Sequence, residues 1–204
     1  MVLDRPTLTV LVPATIQAMI EHPRWAQTPL DSLRCMTTGS TQVPQRLVDA
    51  FTARDVPVLQ AYGATETCPI AVYTRLAGDW RRPGSTGLPG LACEAKVVDD
   101  SGSEVAAGRD GEVIVRGPNV FMGYLNLPEK TAETIDQEGW LHTGDVGVVD
   151  EDGFFRITDR MKDIIITAGG KNITPSELEN QLKFSPYITD AVVIGDKRAY
   201  LTVI

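Results

Sequence analysis

Gly139-Trp140-Leu141-His142-Thr143-Gly144-Asp145, with Asp159-Arg160-Met161-Lys162-Asp163 downstream of it, decides how this chain reads. Between the two lies Asp150-Glu151-Asp152-Gly153, a hairpin signal, because Asp and Gly tolerate the backbone angles of tight turns. Asp145 thus ends a strand-like segment, and Val146 to Val149 is β-like. After Asp163 comes the apolar run Ile164 to Thr167, closed by Ala168-Gly169-Gly170-Lys171-Asn172. A capped helix follows at Thr174-Pro175-Ser176-Glu177. Thr174 is placed to cap it, Pro175 fits the first helical position, and Glu177 completes a capping box. Ala191 to Gly195 reads as a last strand.

Upstream the texture differs. Leu8 to Val12 is an apolar run that reads as a buried strand or a helix lead-in. Ala14 to Glu21 carries Ile16, Met19 and Ile20 at helical spacing. Ser32 to Thr37 reads as a strand emptying into the loop Thr38-Gly39-Ser40-Thr41. Pro44 to Ala53 is a helix with Pro in its first turn, and Val56 to Ala61 is a second strand ending in Tyr62-Gly63-Ala64-Thr65-Glu66. This is the rhythm of a parallel α/β sheet, whose ligands sit beyond the carboxyl ends of its strands. From about Arg81-Arg82-Pro83-Gly84 to Arg160 the chain turns to short strands, Ala95 to Val98 and Gly111 to Arg116 among them, with Gly/Pro/Asp turns and one short helix, Thr131 to Ile135. That region reads as a small β-barrel or curled sheet. The expected fold is therefore α/β and β in three parts. Residues 1–82 read as α/β, 83–160 as a β-barrel-like subdomain, and 161–204 as α+β.

Composition excludes several classes. The formal net charge of −8 argues against a nucleic-acid or anionic-membrane surface, which needs a basic face. No run of eighteen apolar residues is present, so no membrane span is expected. Three widely spaced cysteines, Cys35, Cys68 and Cys93, favour reduced thiols in a cytoplasmic protein over a disulfide frame or a zinc site.

Each motif has an ordinary reading beside a chemical one. In Tyr62-Gly63-Ala64-Thr65-Glu66 the ring can stack on a purine, the hydroxyl can meet a phosphate and the carboxylate can hold Mg2+. The same five residues also suit a strand-to-helix loop with a Thr/Glu cap. Thr37-Thr38-Gly39-Ser40 looks like a phosphate loop but lacks the second Gly and the Lys of a P-loop. Asp145 can accept hydrogen bonds from both hydroxyls of a ribose, or it can be the Asp of a Gly-Asp turn. Lys162 can be a solvated turn residue. Gly169 and Gly170 permit close approach to a thin ligand, or simply make a tight turn. His142 reads as structural, since no nucleophile pairs with it. The block Gly111 to Asn126, with Tyr124 over the sheet, also reads as structural.

In this order, Gln60-Ala61-Tyr62-Gly63-Ala64-Thr65-Glu66-Thr67, the Asp145 block, the Arg160 block and the Gly169-Gly170 loop resemble the acyl-adenylate-forming (AMP-binding) superfamily of acyl-CoA synthetases, peptide-synthetase adenylation domains and luciferase. The resemblance implies that Tyr62 stacks on adenine, with Gly63 beside it, and that Gly39 and Ser40 cover the other face next to the acyl pocket. It implies that Thr65 contacts the α-phosphate, that Glu66 ligates Mg2+, and that Asp145 and Arg160 hold the ribose. It makes residues 1–82 the end of the α/β subdomain and residues 161–204 the start of the C-terminal lid, with Lys162 as the hinge and Gly169 and Gly170 lining the CoA pantetheine tunnel. ATP, Mg2+ and CoA are the implied cofactors, with a carboxylic acid as the substrate. The tail Phe184 to Asp196 resembles fatty acyl-CoA synthetases most. A carrier-protein-loading adenylation domain and a non-catalytic binding module stay open as alternatives. The superfamily's phosphate loop ending in Pro-Lys-Gly and its C-terminal Lys do not occur in these residues. The expectation is a partial chain that does not turn over alone.

Overall fold

The computed structural model describes residues 4–39, 43–183, 185 and 187–204. A five-stranded sheet opens the chain: β1 (Leu8–Val10), β2 (Cys35–Gly39), β3 (Val58–Tyr62), β4 (Val72–Tyr73) and β5 (Leu88–Pro89), in that spatial order. The first three strands run parallel and the last two join antiparallel. Two helices complete this layer, α1 (Pro13–Glu21) and α2 (Gln45–Thr52). Leu47, Val48 and Phe51 recur at helical spacing on α2, so one face of it is apolar. They pack with Ile16, Met36, Val56 and Val58 into a dry core. Pro44 is the N-cap of α2 and precedes its first turn.

Two expectations change here. Leu8 and Val10 are 60% and 78% exposed, so β1 is an edge strand and is not buried. Apolar composition reports what a strand prefers, and pairing decides what covers it. Thr38 and Gly39 belong to β2 and do not form a loop after it. Gly39 lies opposite Ala61, and a Cβ on it would collide with the Ala61 carbonyl oxygen.

The next unit is a four-stranded antiparallel meander: β6 (Glu94–Val98), β7 (Gly111–Arg116), β8 (Leu141–Val149) and β9 (Phe155–Arg160). The short helix α3 (Pro128–Thr134) precedes β8. Among the described residues β6 and β9 do not pair, so the sheet is open and not a closed barrel. It joins the first unit where Thr86 N–H donates to Phe155 O and Phe155 N–H donates to Gly87 O, both at 2.8 Å. Val72 of β4 shares a core with Val97, Val113, Val115 and Phe155.

The last unit holds two small hairpins, β10 (Ile165–Ile166) with β11 (Asn172–Ile173) and β12 (Val193–Ile194) with β13 (Thr202–Val203), and the helix α4 (Pro175–Leu182). Thr174 is at the N-cap of α4 but makes no side-chain cap bond, and the Glu177 side chain lies outside the described residues. Instead the Glu179 carboxylate accepts the Val193 N–H at 2.8 Å, tying α4 to β12.

Candidate functional site

Three predicted residues meet where the first two units join. Tyr62 ends β3, and Asp145 and Arg160 face each other across the β8–β9 ladder. The Tyr62 hydroxyl donates to Asp145 Oδ2 at 2.6 Å, and Arg160 Nε lies 3.4 Å from Asp145 Oδ1. Asp145 is only 8% exposed. Its neighbours in sequence explain how a strand residue comes to point here. Between the pairs Glu112 with Val146 and Ile114 with His142, the single residue Val113 faces Thr143, Gly144 and Asp145, so this tripeptide bulges from the ladder. Bulges bend a strand and re-aim its side chains. Gly144 supplies the left-handed angle, φ +69°, that the bulge needs. The Thr143 hydroxyl donates to Val113 O at 2.6 Å, and Glu112 accepts the Gly144 N–H at 3.0 Å and faces His142 Nδ1 at 2.8 Å. His142 is thus a structural partner of Glu112.

Burial sets the electrostatics of the pair. Loss of water raises the Asp145 carboxyl above the usual range, the Tyr62 hydrogen bond and Arg160 oppose this, and Asp159 and Glu112 add to it. The Tyr62 phenol is pushed far above its ordinary value, first by burial and then by the Asp145 charge. Tyr62 stays a neutral donor and Asp145 a carboxylate whose charge is under strain.

Around this pair lies a cavity of about 560 Å³, lined by Tyr62, Gly63, Asp145 and Arg160 and, from the last unit, by Asp163 and Ser176. That is within the usual size of a small-molecule site. An aromatic ring, a buried acceptor and an arginine suit a nucleoside: a face for the base, and an acceptor and a cation for the hydroxyls. Gly63 is there because a Cβ would strike the Pro69 carbonyl. A second cavity, about 390 Å³, shares Gln60 and Ala61 with the first and is otherwise lined by Leu59, Tyr73, Leu91 and Cys93 among others.

The other predicted residues that the structure describes do not line the larger cavity. Thr65 and Glu66 form a single 3-10 turn, Thr65–Thr67, held by the buried Thr67 hydroxyl, which accepts the Ala64 N–H at 2.8 Å. Glu66 Oε1 accepts the Tyr124 hydroxyl at 2.9 Å, and Glu66 O accepts the Phe121 N–H at 2.9 Å. Tyr124 therefore positions Glu66, a task beyond its expected packing over the sheet. No group of three or more His, Cys, Asp or Glu side chains suited to a metal occurs among the described residues. Glu66 alone fits Mg2+ only in the way that ion usually binds, with one carboxylate beside substrate phosphates and water. Gly39 lines neither cavity. Ser40 lies outside the described residues. Lys162 sits exposed in the 3-10 turn Met161–Asp163 between β9 and β10. Gly169 and Gly170 make the exposed turn between β10 and β11 and line neither cavity, with Gly170 at φ +76°.

Comparison with known proteins identifies the family. The AMP-binding enzyme family profile matches residues 3–125, and the AMP-binding enzyme C-terminal domain profile matches residues 162–204. The indoleacetate–CoA ligase of Aromatoleum aromaticum is 46% identical over 94% of this chain and 37% of its own length. The feruloyl-CoA synthase of an Amycolatopsis species is 41% identical over 94% of the chain and 39% of its own. The O-succinylbenzoate coenzyme A synthetase of Bacillus subtilis has been solved with AMP (TM-score 0.83, 33% identity, 98% of this chain and 40% of that one). The same enzyme has been solved with ATP and a magnesium ion (TM-score 0.83, 34% identity, 98% and 41%). This chain thus spans about two fifths of the length of the curated relatives it matches.

Proposed function

We propose, from the premise that this chain belongs to the AMP-binding enzyme family, that it supplies the adenosine site and part of the lid of an acid–CoA ligase. The observation that carries the reading is the meeting of Tyr62, Asp145 and Arg160 on one cavity. Tyr62 offers its ring to the base, and Asp145 and Arg160 take the ribose hydroxyls. Thr65 and Glu66 follow three and four residues behind the stacking ring, which suits the phosphate end of the same nucleotide. Mg2+, held by Glu66 and the phosphates, would neutralise charge on the departing pyrophosphate.

The chemistry has two steps. A carboxylate oxygen of the acid attacks the α-phosphorus of ATP, and the bond to pyrophosphate breaks, leaving acyl-AMP. The CoA thiolate then attacks the acyl carbon, and AMP leaves with the bonding electrons. The chain's residues bind and orient the nucleotide and stabilise charge, and none acts as a covalent nucleophile. Lys162 serves as the hinge between the steps, and Gly169 and Gly170 face the pantetheine in the second. For the acid we favour an aromatic carboxylate, because the relatives above are named for indoleacetate, ferulate and succinylbenzoate. That departs from the fatty-acid expectation, which rested on the resemblance of the tail.

Titration calorimetry of this 204-residue chain with AMP tests the site. Weak binding is expected, and Asp145→Ala should weaken it by about 1–3 kcal/mol, the range for losing a charged hydrogen-bond acceptor. Equal binding by parent and variant would remove Asp145 from the ribose. In a full-length enzyme carrying this segment, pyrophosphate release with aryl acids and with fatty acids decides the acid. Faster turnover of fatty acids would overturn the aromatic assignment.

A further inference from the structure

Asp159 makes two contacts through one oxygen. Its Oδ1 accepts the Arg160 backbone N–H at 2.7 Å and the Ser176 hydroxyl at 2.6 Å. The first bond is local to β9, whereas the second reaches the first turn of α4. Asp159 is 8% exposed, and its other oxygen, Oδ2, is buried without a hydrogen-bond partner. A short bond to a charged acceptor is a strong contact. A desolvated carboxylate oxygen with no donor opposes it with a cost of similar size. The contact therefore positions α4 without locking it.

The next residue along the chain is Arg160, whose guanidinium reaches Asp145. Asp159 and Ser176 both line the cavity as well. We propose that Asp159 is a positioning residue that transmits the place of α4 to the nucleoside cavity. With Ser176 bonded, Oδ1 is fixed, the Arg160 backbone is held by it, and Arg160 stays against Asp145. When α4 departs, Oδ1 loses a donor, Oδ2 gains water, and the Arg160 backbone is released with them. The inference relies on the function proposed above for what the cavity holds, and the coupling itself stands on the three contacts.

Amide hydrogen exchange by NMR on the 204-residue chain, with AMP calorimetry beside it, tests this. Ser176→Ala removes the donor and leaves Asp159, Arg160 and Asp145 in place, and Ser176→Thr keeps a hydroxyl. Ser176→Ala should speed exchange of the Arg160 amide about 3–10-fold and weaken AMP binding by a similar factor, the scale of one modest hydrogen bond. Ser176→Thr should return both to within about twofold of the parent, which loss of packing alone would not explain. An unmoved Arg160 amide, with or without faster exchange in α4, overturns the proposal. So does an altered amide with unaltered affinity in a chain that binds AMP. If the parent binds no AMP, the adenosine reading falls, and the Arg160 amide still decides the coupling.

Discussion

Replacing Tyr62 by Phe separates two roles of one residue. The ring remains to stack, and only the hydroxyl that donates to Asp145 Oδ2 at 2.6 Å is lost. In the folded chain that bond serves a carboxylate already disfavoured by burial. A hydrogen bond to a charged group contributes about 1.5–3 kcal/mol, and the half-buried position of Tyr62 puts it at the lower end. At about 2–4 °C per kcal/mol for a chain of this size, the melting temperature should fall by about 3–6 °C. Ligand binding should move the other way. If a ribose hydroxyl takes the place of the Tyr62 hydroxyl on Asp145 Oδ2, the parent gives up that bond on binding and the variant does not. About 1.5 kcal/mol corresponds to roughly tenfold tighter AMP binding by Tyr62→Phe. Differential scanning fluorimetry and titration calorimetry on the same samples measure both. If the variant melts lower and binds AMP tenfold more weakly, the hydroxyl contacts the nucleotide and does not compete with it. An unchanged melting temperature would mean that the Tyr62–Asp145 bond contributes nothing in solution.

The remaining predictions use other parts of the site. The raised carboxyl of Asp145 means that the folded chain holds its proton more tightly than the unfolded one. Its stabilising contribution is complete below the unfolded value, near 3.9, and is lost as pH rises through the higher folded value. Asp145→Asn should therefore leave the neutral-pH melting temperature unchanged or raise it, and a clear fall would contradict the linkage. Adenosine, which has no phosphate to titrate, should bind more weakly as pH falls through that same window, and Asp145→Asn should reduce the pH dependence to that of the adenine base alone. Tyr124→Phe removes the donor at Glu66 and should raise the Mg2+ concentration needed for ATP binding about 2–10-fold, the cost of one lost neutral donor. An unaltered Mg2+ titration would exclude Tyr124 from that role. Lys162→Pro, in a full-length enzyme carrying this segment, fixes φ and deletes a backbone donor at the hinge, so it should slow thioester formation more than adenylation. Single-turnover rates that fall equally would leave Lys162 an ordinary surface residue.

Local chemistry made part of this readable in advance. The Tyr62 loop at a strand end, the hairpin signal at Asp150 to Gly153 and Pro175 at the start of α4 all depend on neighbours a few residues away. The hairpin in particular brings Asp145 opposite Arg160. Contacts that cross between units left no such mark. Tyr62 and Asp145 are distant in sequence, and nothing in either stretch announces that a phenol would occupy the carboxylate. Tyr124 on Glu66 and Ser176 on Asp159 are hidden for the same reason. Leu8 and Val10 mislead because apolar character specifies burial without naming the partner. At Thr174 the expected cap bond is absent, while the Ser176 hydroxyl, two residues on, bonds Asp159 on β9.

The bulge at Thr143-Gly144-Asp145 also limits how this segment can change length. Side chains alternate faces along a strand, so one residue deleted between His142 and Val146 would turn Asp145 toward the opposite side or drag Val146 out of its buried seat. Residues added at Asp150 to Gly153 would extend a solvent-exposed loop beyond the last paired residues, Val149 and Phe155, and leave the carboxylate where it is. Insertions and deletions should therefore accumulate at the tip of the β8–β9 hairpin and be absent from its base. A library of single-codon deletions across residues 140–160, scored for folded yield and AMP retention, would map that boundary residue by residue.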